Sequence, residues 1–345
     1  MEKNKASRRE FLQACGVLGL GLAAGGAFPL AAEAAKFNRA AYKVSGTKLL
    51  MGTFVSMTVI HESRALAEEA QGRAFEEIKR LCGVFNRYDA ATPVSVLNRD
   101  GRVTGAPPEL SEVMGRAIRF HSLSDHAFDV TVAPLVDLFQ KKSKNGEKLK
   151  LSGKEFERVL RLVDSGAVEL APGKISLKKS GMKVTLDGIA KGYIVDRASD
   201  VLSRHGALNH LINAGGDIRT RGERSGHRPW TVAIEDPAKR GDYPDVISMR
   251  DGAIATSGGY EVYFDREKMF HHVVSPATGR SPIRAAGVSV VAPAVMEADA
   301  LSTSVFVMSP KQGIAFINSL PGRECFIVAD TGAQIKSRNW GKSSR

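Results

Sequence analysis

The sequence predicts an α+β fold, and three observations carry that prediction. Long stretches show helical apolar spacing, short strands follow one another without intervening helices, and no fixed-period repeat appears. A doubly wound sheet would alternate strand and helix throughout. A chain of 345 residues can bury a large core, as one big domain or two intimate subdomains. No linker divides it, so residues 36–345 read as a single domain behind a leader over 1–35.

The leader opens with Ser7-Arg8-Arg9-Glu10-Phe11-Leu12, a twin-arginine signal. The Gly/Ala-rich run that follows is too poor in Leu and Ile for a membrane-spanning helix, and Ala32-Glu33-Ala34 offers a small-x-small cleavage site. A twin-arginine leader is a receptor-read address. It predicts passage through that export machinery to a periplasmic or other extracytoplasmic location, with membrane anchoring if the leader is kept.

Residues 36–48 read as a loose lead-in. Alternation predicts a strand over 53–60, after Met51-Gly52-Thr53. Ala67, Ala70, Ala74, Ile78 and Leu81 recur at helical spacing, giving a helix over 64–82 that ends at Gly83, with Phe85-Asn86-Arg87-Tyr88-Asp89 as a loop. Pro107-Pro108 starts a helix over 109–123. His126-Ala127-Phe128-Asp129-Val130-Thr131 comes next, then a polar, basic loop over 141–150. A short helix over 154–163 and strands over 174–177 and 184–186 precede a central helix reaching about residue 205. A strand over 210–213 ends in Ala214-Gly215-Gly216-Asp217. Further strands are expected over 230–235, 246–249, 253–256, 270–274 and 287–292. A helix over 295–308 and a strand over 325–329 close the chain.

The net charge of +12 lies mostly in the body, because the basic residues of the leader are nearly balanced by Glu2, Glu10 and Glu33. Such an excess suits phosphorylated ligands or an acidic partner. Nucleic acid is not expected, since the basic residues are scattered and no aromatic-studded basic motif appears. Cys15, Cys82 and Cys325 have no metal-ligand spacing, and the last two fall among apolar neighbours as packing residues.

The chemistry concentrates in Val184 to Asp196, VTLDGIAKGYIVD. A β-branched run meets Asp187-Gly188, and Lys191 falls in the first helical turn. Unpaired N–H groups at a helix start favour anions, and a lysine beside them suits phosphate. Asp187 could accept a hydroxyl, help fix a metal, or only cap the helix. Asp299 and Thr303 stand i and i+4 on the last helix, hence on one face. A carboxylate with hydroxyl or carbonyl oxygens suits a hard cation such as Mg²⁺. In His271-His272-Val273-Val274-Ser275-Pro276, a neutral histidine could take a proton from an attacking hydroxyl, and strand alternation turns only one of the two inward.

Taken in order, these motifs resemble the ApbE family of FAD:protein FMN transferases. The matching marks are Met51-Gly52-Thr53, Phe85 to Asp89, Ala127-Phe128-Asp129-Val130-Thr131, Leu186 to Tyr193, Asn213 to Asp217, Thr256-Ser257-Gly258, His272 to Gly279 and Ala298 to Thr303. The resemblance implies an α+β fold of mixed or antiparallel sheets with packed helices, in two intimate subdomains. It also implies Mg²⁺-dependent transfer of FMN from FAD to a threonine hydroxyl of an acceptor protein, with release of AMP. Membrane redox subunits and exported flavoproteins are the acceptors it implies. By resemblance, Asp299 and Thr303 are metal ligands, with a main-chain carbonyl of Gly188 or Ala190 as a third. Met51, Tyr88, the backbone of Ala127, Phe128 and Asp129, then Asp187, Lys191 and Val273 match flavin-nucleotide contacts. His272 is the candidate to position or deprotonate the acceptor hydroxyl, with Asp187 as the alternative.

Three departures stand out. The turn after Asp187 is shorter than the family's Asp-Leu-Gly-Gly form, Ser275 replaces a frequent Asp before Pro276, and Pro107 stands where an acceptor-like stretch over 100–107 would need its threonine. An FAD pyrophosphatase and a non-enzymatic FAD-binding protein are the rival readings.

Overall fold

The computed structural model describes residues 33–36, 41–142, 153–224, 226–259 and 273–342. Residues 1–32 of the expected leader, with Arg8 and Arg9, lie outside them, as do His271, His272 and residues 143–150 of the expected basic loop.

The chain opens with strands β1 (Glu33–Lys36), β2 (Tyr42–Leu50) and β3 (Thr53–His61), then helices α1 (Arg64–Phe85) and α2 (Pro93–Asp100). Strand β4 (Arg102–Thr104) leads to helices α3 (Pro108–Leu123), α4 (Ala133–Lys142) and α5 (Gly153–Leu160). Strands β5 (Val168–Ala171) and β6 (Lys174–Leu177) precede helix α6 (Ala190–Arg204). Strands β7 (Asn209–Ala214), β8 (Asp217–Arg221), β9 (Trp230–Ile234), β10 (Asp245–Met249), β11 (Gly252–Gly258) and β12 (Ala285–Ala292) follow. Helices α7 (Val295–Val307) and α8 (Pro310–Asn318) and strands β13 (Glu324–Ala329) and β14 (Gln334–Lys336) finish it.

Nine strands form one sheet in the order β1-β2-β3-β7-β8-β11-β12-β13-β14, and every pairing in it is antiparallel. The expected α+β class therefore holds. Alternate residues face opposite sides. On one side Val55, Met57, Ile212, Val288, Val290, Cys325 and Ile327 join the helices in the main core. On the other side Ile218, Ile254, Val291, Phe326 and Val328 meet Val232, Ile234, Ile247 and Met249 of the β9–β10 pair. A three-stranded sheet, β4-β6-β5, packs beside the helices.

Helix α1 shows why these residues fold this way. The Ser63 side chain accepts from the Leu66 N–H at 3.4 Å, and Ala67, Ala70, Ala74, Ile78 and Leu81 form the buried stripe. The helix does not stop at Gly83 as expected. Gly83 is exposed, so it costs only about 1 kcal/mol, and burial of Val84 and Phe85 carries the helix one turn further.

Other expectations are corrected as well. The lead-in over 36–48 includes most of β2, whose outward residues there, Lys43, Ser45 and Thr47, are polar and so hide the strand; a Met51-Gly52 turn, φ 54° and 72°, pairs it to β3. Val273 and Val274 of the strand expected over 270–274 are not in a strand. The chain closes with β14 rather than β13, and α2, α4, α8, β1, β4, β5 and β8 were not anticipated. Most telling, Val184–Leu186 is not a strand. The Asn98 side chain brackets Val184, accepting from its N–H at 2.6 Å and donating to its carbonyl at 2.8 Å, while the Thr185 N–H donates to the Val130 carbonyl at 2.8 Å. The segment's polar groups are satisfied without a ladder.

Candidate active site at the strand ends

Helices α6 and α7 cap each other. The Asp196 carboxylate of α6 accepts from the Val295 and Met296 N–H groups at 3.0 and 2.9 Å, at the start of α7. In return, Asp299 of α7 accepts from the Gly192 N–H at 3.1 Å, at the start of α6. The helices cross so closely that a Cβ on Gly192 would stand 2.5 Å from the Val295 carbonyl oxygen. Gly192 thus serves packing. Arg219 on β8 adds a contact to Asp196 at 3.7 Å and donates to the Pro293 carbonyl, so α7 is pinned to the sheet as well.

This lock fixes a small pocket of about 80 Å³, lined by Ala127, Phe128, Asp129, Asp187, Gly188, Lys191, Val273, Asp299 and Thr303, among others. Nine of the residues expected at the site therefore come together. Gly188 presses against Thr303, where a Cβ would lie 2.9 Å from Oγ1. Thr303 Oγ1 also stands 3.3 Å from Ser257 Oγ, and that hydroxyl pairs with Ser302 Oγ at 2.8 Å. Asp187 is exposed and opens the pocket to solvent.

Asp129 lines the pocket, but its carboxylate is occupied. It accepts from the Thr131 N–H and hydroxyl, the Ser165 hydroxyl at 2.8 Å and the Ser165 N–H at 3.2 Å, with His121 Nδ1 3.3 Å away. Its side chain is thus taken up within the protein.

Burial pushes the Asp299 carboxyl well above the usual carboxylate range, and the nearby Asp217 charge adds to the rise; Lys191 and the Gly192 N–H work against it. Asp217 is buried with Lys191 Nζ 3.6 Å from its Oδ2. Sequence reasoning missed Asp217, although it directly follows the Gly215-Gly216 turn. It also missed Thr185, which lines the pocket two residues before Asp187.

Two expected residues sit elsewhere. Met51 and Tyr88 do not line the pocket. Met51 occupies the β2–β3 turn, half-buried against the main core, and Tyr88 is 67% exposed with the Arg87 guanidinium 5.3 Å from its ring centre. The turns are nevertheless neighbours: a Cβ on Gly215 would lie 2.5 Å from Thr53 Oγ1, and Thr256 beside the β7–β8 turn lines the pocket. His272 lies outside the described residues, while Val273 after it is buried in the pocket wall.

Fold and site define a class: an α+β protein whose carboxylates, lysine and hydroxyls gather where strands end and two helices begin. The chain belongs to the ApbE family, whose model matches residues 51–327. It is 32% identical to an FAD:protein FMN transferase of Haemophilus influenzae, over 69% of this chain and 72% of that protein. It is 30% identical to the protein of the same name from Vibrio cholerae, over 76% and 79%. Among solved structures, the ApbE protein of Thermotoga maritima superposes with a TM-score of 0.78 at 31% identity, covering 88% of this chain and 99% of that one. The flavin transferase ApbE from Vibrio cholerae gives 0.75 at 26% identity, over 87% and 98%.

Proposed function

We propose that this chain is an enzyme that transfers FMN from FAD to a threonine hydroxyl of an acceptor protein. The observation that carries the reading is the convergence of Asp187, Gly188, Lys191, Asp299 and Thr303 in one pocket, in a chain of this family. The hydroxyl oxygen bonds to the FMN-side phosphorus of FAD. The bond from that phosphorus to the bridging oxygen breaks, and AMP leaves with that oxygen. Lys191 offsets phosphate charge at the helix start. The hydroxyl proton passes to His272, or to Asp187, which is exposed at the pocket mouth.

The residues present fit a hard divalent cation. Their donors are all oxygen, and Asp299 is a buried carboxylate with further carboxylates nearby, a charge excess that a cation relieves. Among the described residues no three His, Cys, Asp or Glu side chains cluster as a metal site, so hydroxyl and carbonyl oxygens must complete the set. Asp299, Thr303 and the Gly188 carbonyl, or that of Ala190, would hold Mg²⁺, which when bound stabilises charge on the pyrophosphate. Met51, Tyr88, Ala127, Phe128, Asp129 and Val273 are assigned to holding FAD.

The test is incubation with FAD, Mg²⁺ and a threonine-bearing acceptor, read by flavin fluorescence on the protein and by AMP release. Flavin on the acceptor is expected. Free FMN with AMP would make the chain a pyrophosphatase, and unchanged FAD a binding protein. Exported flavoproteins and membrane redox subunits are the proposed acceptors, reached through export on the twin-arginine leader. No helix among the described residues is long and apolar enough to cross a membrane. Changing Arg8 and Arg9 to Lys should hold the protein in the cytoplasm, and unchanged export on cell fractionation would remove the leader from the account.

A further inference from the structure

A second cavity, of about 630 Å³, lies on the sheet face away from the helices. Its floor carries Thr58, Ile60, Leu211 and Asn213, which share the outer face of β3 and β7. Its wall is Trp230 to Glu235, six consecutive residues. Side chains of a strand alternate between faces, so a wall of consecutive residues is a strand edge. That edge is the one turned away from β10, the only strand that β9 pairs with among the described residues. Among the described residues the outer layer is therefore two strands wide, and the strand position beyond β9 is the groove itself.

We propose that this groove docks an extended segment of the acceptor protein as a strand added to the edge of β9 that carries no other strand among the described residues. The inference rests on the transfer reading above. Alternate residues of β9 direct N–H and C=O groups outward, which an extended chain satisfies whatever its sequence. Side chains on one face of the added strand pack on Ile60 and Leu211. The groove also leads to the chemistry, because Thr256 lines both it and the pocket holding Asp299 and Thr303. Near the same end, Leu49 and Phe54 pair across β2 and β3 and are 68% and 63% exposed on this outer face, an apolar landing beside the β2–β3 turn. A folded acceptor would present its threonine on such an extended arm, with strand pairing fixing how far along the groove the hydroxyl falls.

The probe is a randomised peptide library with a central threonine, selected on the full chain. Expected are peptides whose binding slows amide exchange over 230–235 and weakens at least ten-fold in Thr58→Trp, which fills the floor, with FAD affinity unchanged. The proposal is overturned if wild type retains no peptide, if Thr58→Trp binds equally well, or if protection falls elsewhere. It is also overturned if the chain pairs with a second copy through this edge, seen as dimerisation that Thr58→Trp abolishes. Peptide bound without ever receiving flavin sinks the transfer reading and keeps the groove; flavin on a whole acceptor protein with no peptide retained does the reverse.

Discussion

Asp129 and Asp299 line the same pocket and are buried alike, 8% and 5% exposed, yet their surroundings differ in kind. Asp129 is saturated with donors from Thr131 and Ser165. Asp299 has one N–H, from Gly192, and carboxylates as neighbours. A saturated carboxylate holds the loop it belongs to. An undersupplied one keeps an affinity for positive charge. Burial alone would have assigned the two residues the same role.

Mutation separates the two carboxylates most sharply. Asp299→Ala should cost about a thousand-fold or more in flavin transfer, since several kcal/mol of transition-state stabilisation goes with the cation. Stability should fall far less, by the loss of one cap, about 1 kcal/mol. Asp129→Ala should do the opposite, removing about 3 kcal/mol of stability by stranding buried donors, with per-molecule transfer largely kept in the folded fraction. Urea titration beside single-turnover transfer checks both, and near-wild-type transfer by Asp299→Ala would end the cation assignment.

Thr303→Ala should cost less than Asp299→Ala, about ten- to a hundred-fold, because water can replace a neutral oxygen. Thr303→Ser should recover most of that loss, read as transfer rate against Mg²⁺ concentration. Tyr88→Ala should weaken FAD binding about ten-fold if its exposed ring stacks on the ligand, a contact worth about 1 kcal/mol beyond burial. An unchanged FAD titration would leave Tyr88 without a role.

The smallest effect concerns pH. The Asp299 pKa is raised in the folded state, so its contribution to stability is present at low pH and is lost as pH rises through that raised value. A cation binds the ionised form. The rise in melting temperature on adding Mg²⁺ should therefore grow from acidic to alkaline pH in wild type and stay flat in Asp299→Asn.

How far was this readable from the chain? The shared face of Asp299 and Thr303 was legible because helical spacing puts i and i+4 together, and the place of Lys191 because a helix start follows Gly188. Spacing alone left all three open to plain structural roles, and only the ordered resemblance to the ApbE family marked them as site residues. The lead-in was not legible, because β2 gains its structure from pairing to β3 and, within the lead-in, turns Lys43, Ser45 and Thr47 outward. Val184–Leu186 misled for the converse reason: its β-branched composition suits a strand, but Asn98, 86 residues earlier, takes its hydrogen bonds. Helix α8 had a local signal that went unused, the Ser309–Gln312 capping box with Pro310 in the first turn. The Lys191–Asp217 contact had none, since it joins a helix start to a strand two elements away.

The sheet order has one more consequence. Its two edges are β1 and β14, the first and last strands described, with eight inter-strand steps between them. At about 4.8 Å each, those steps separate the edges by roughly 40 Å. A reporter fused after β14 would ride at the far margin from anything attached ahead of β1. Energy transfer between dyes at the two ends would then read as an internal ruler, one that lengthens when the sheet comes apart.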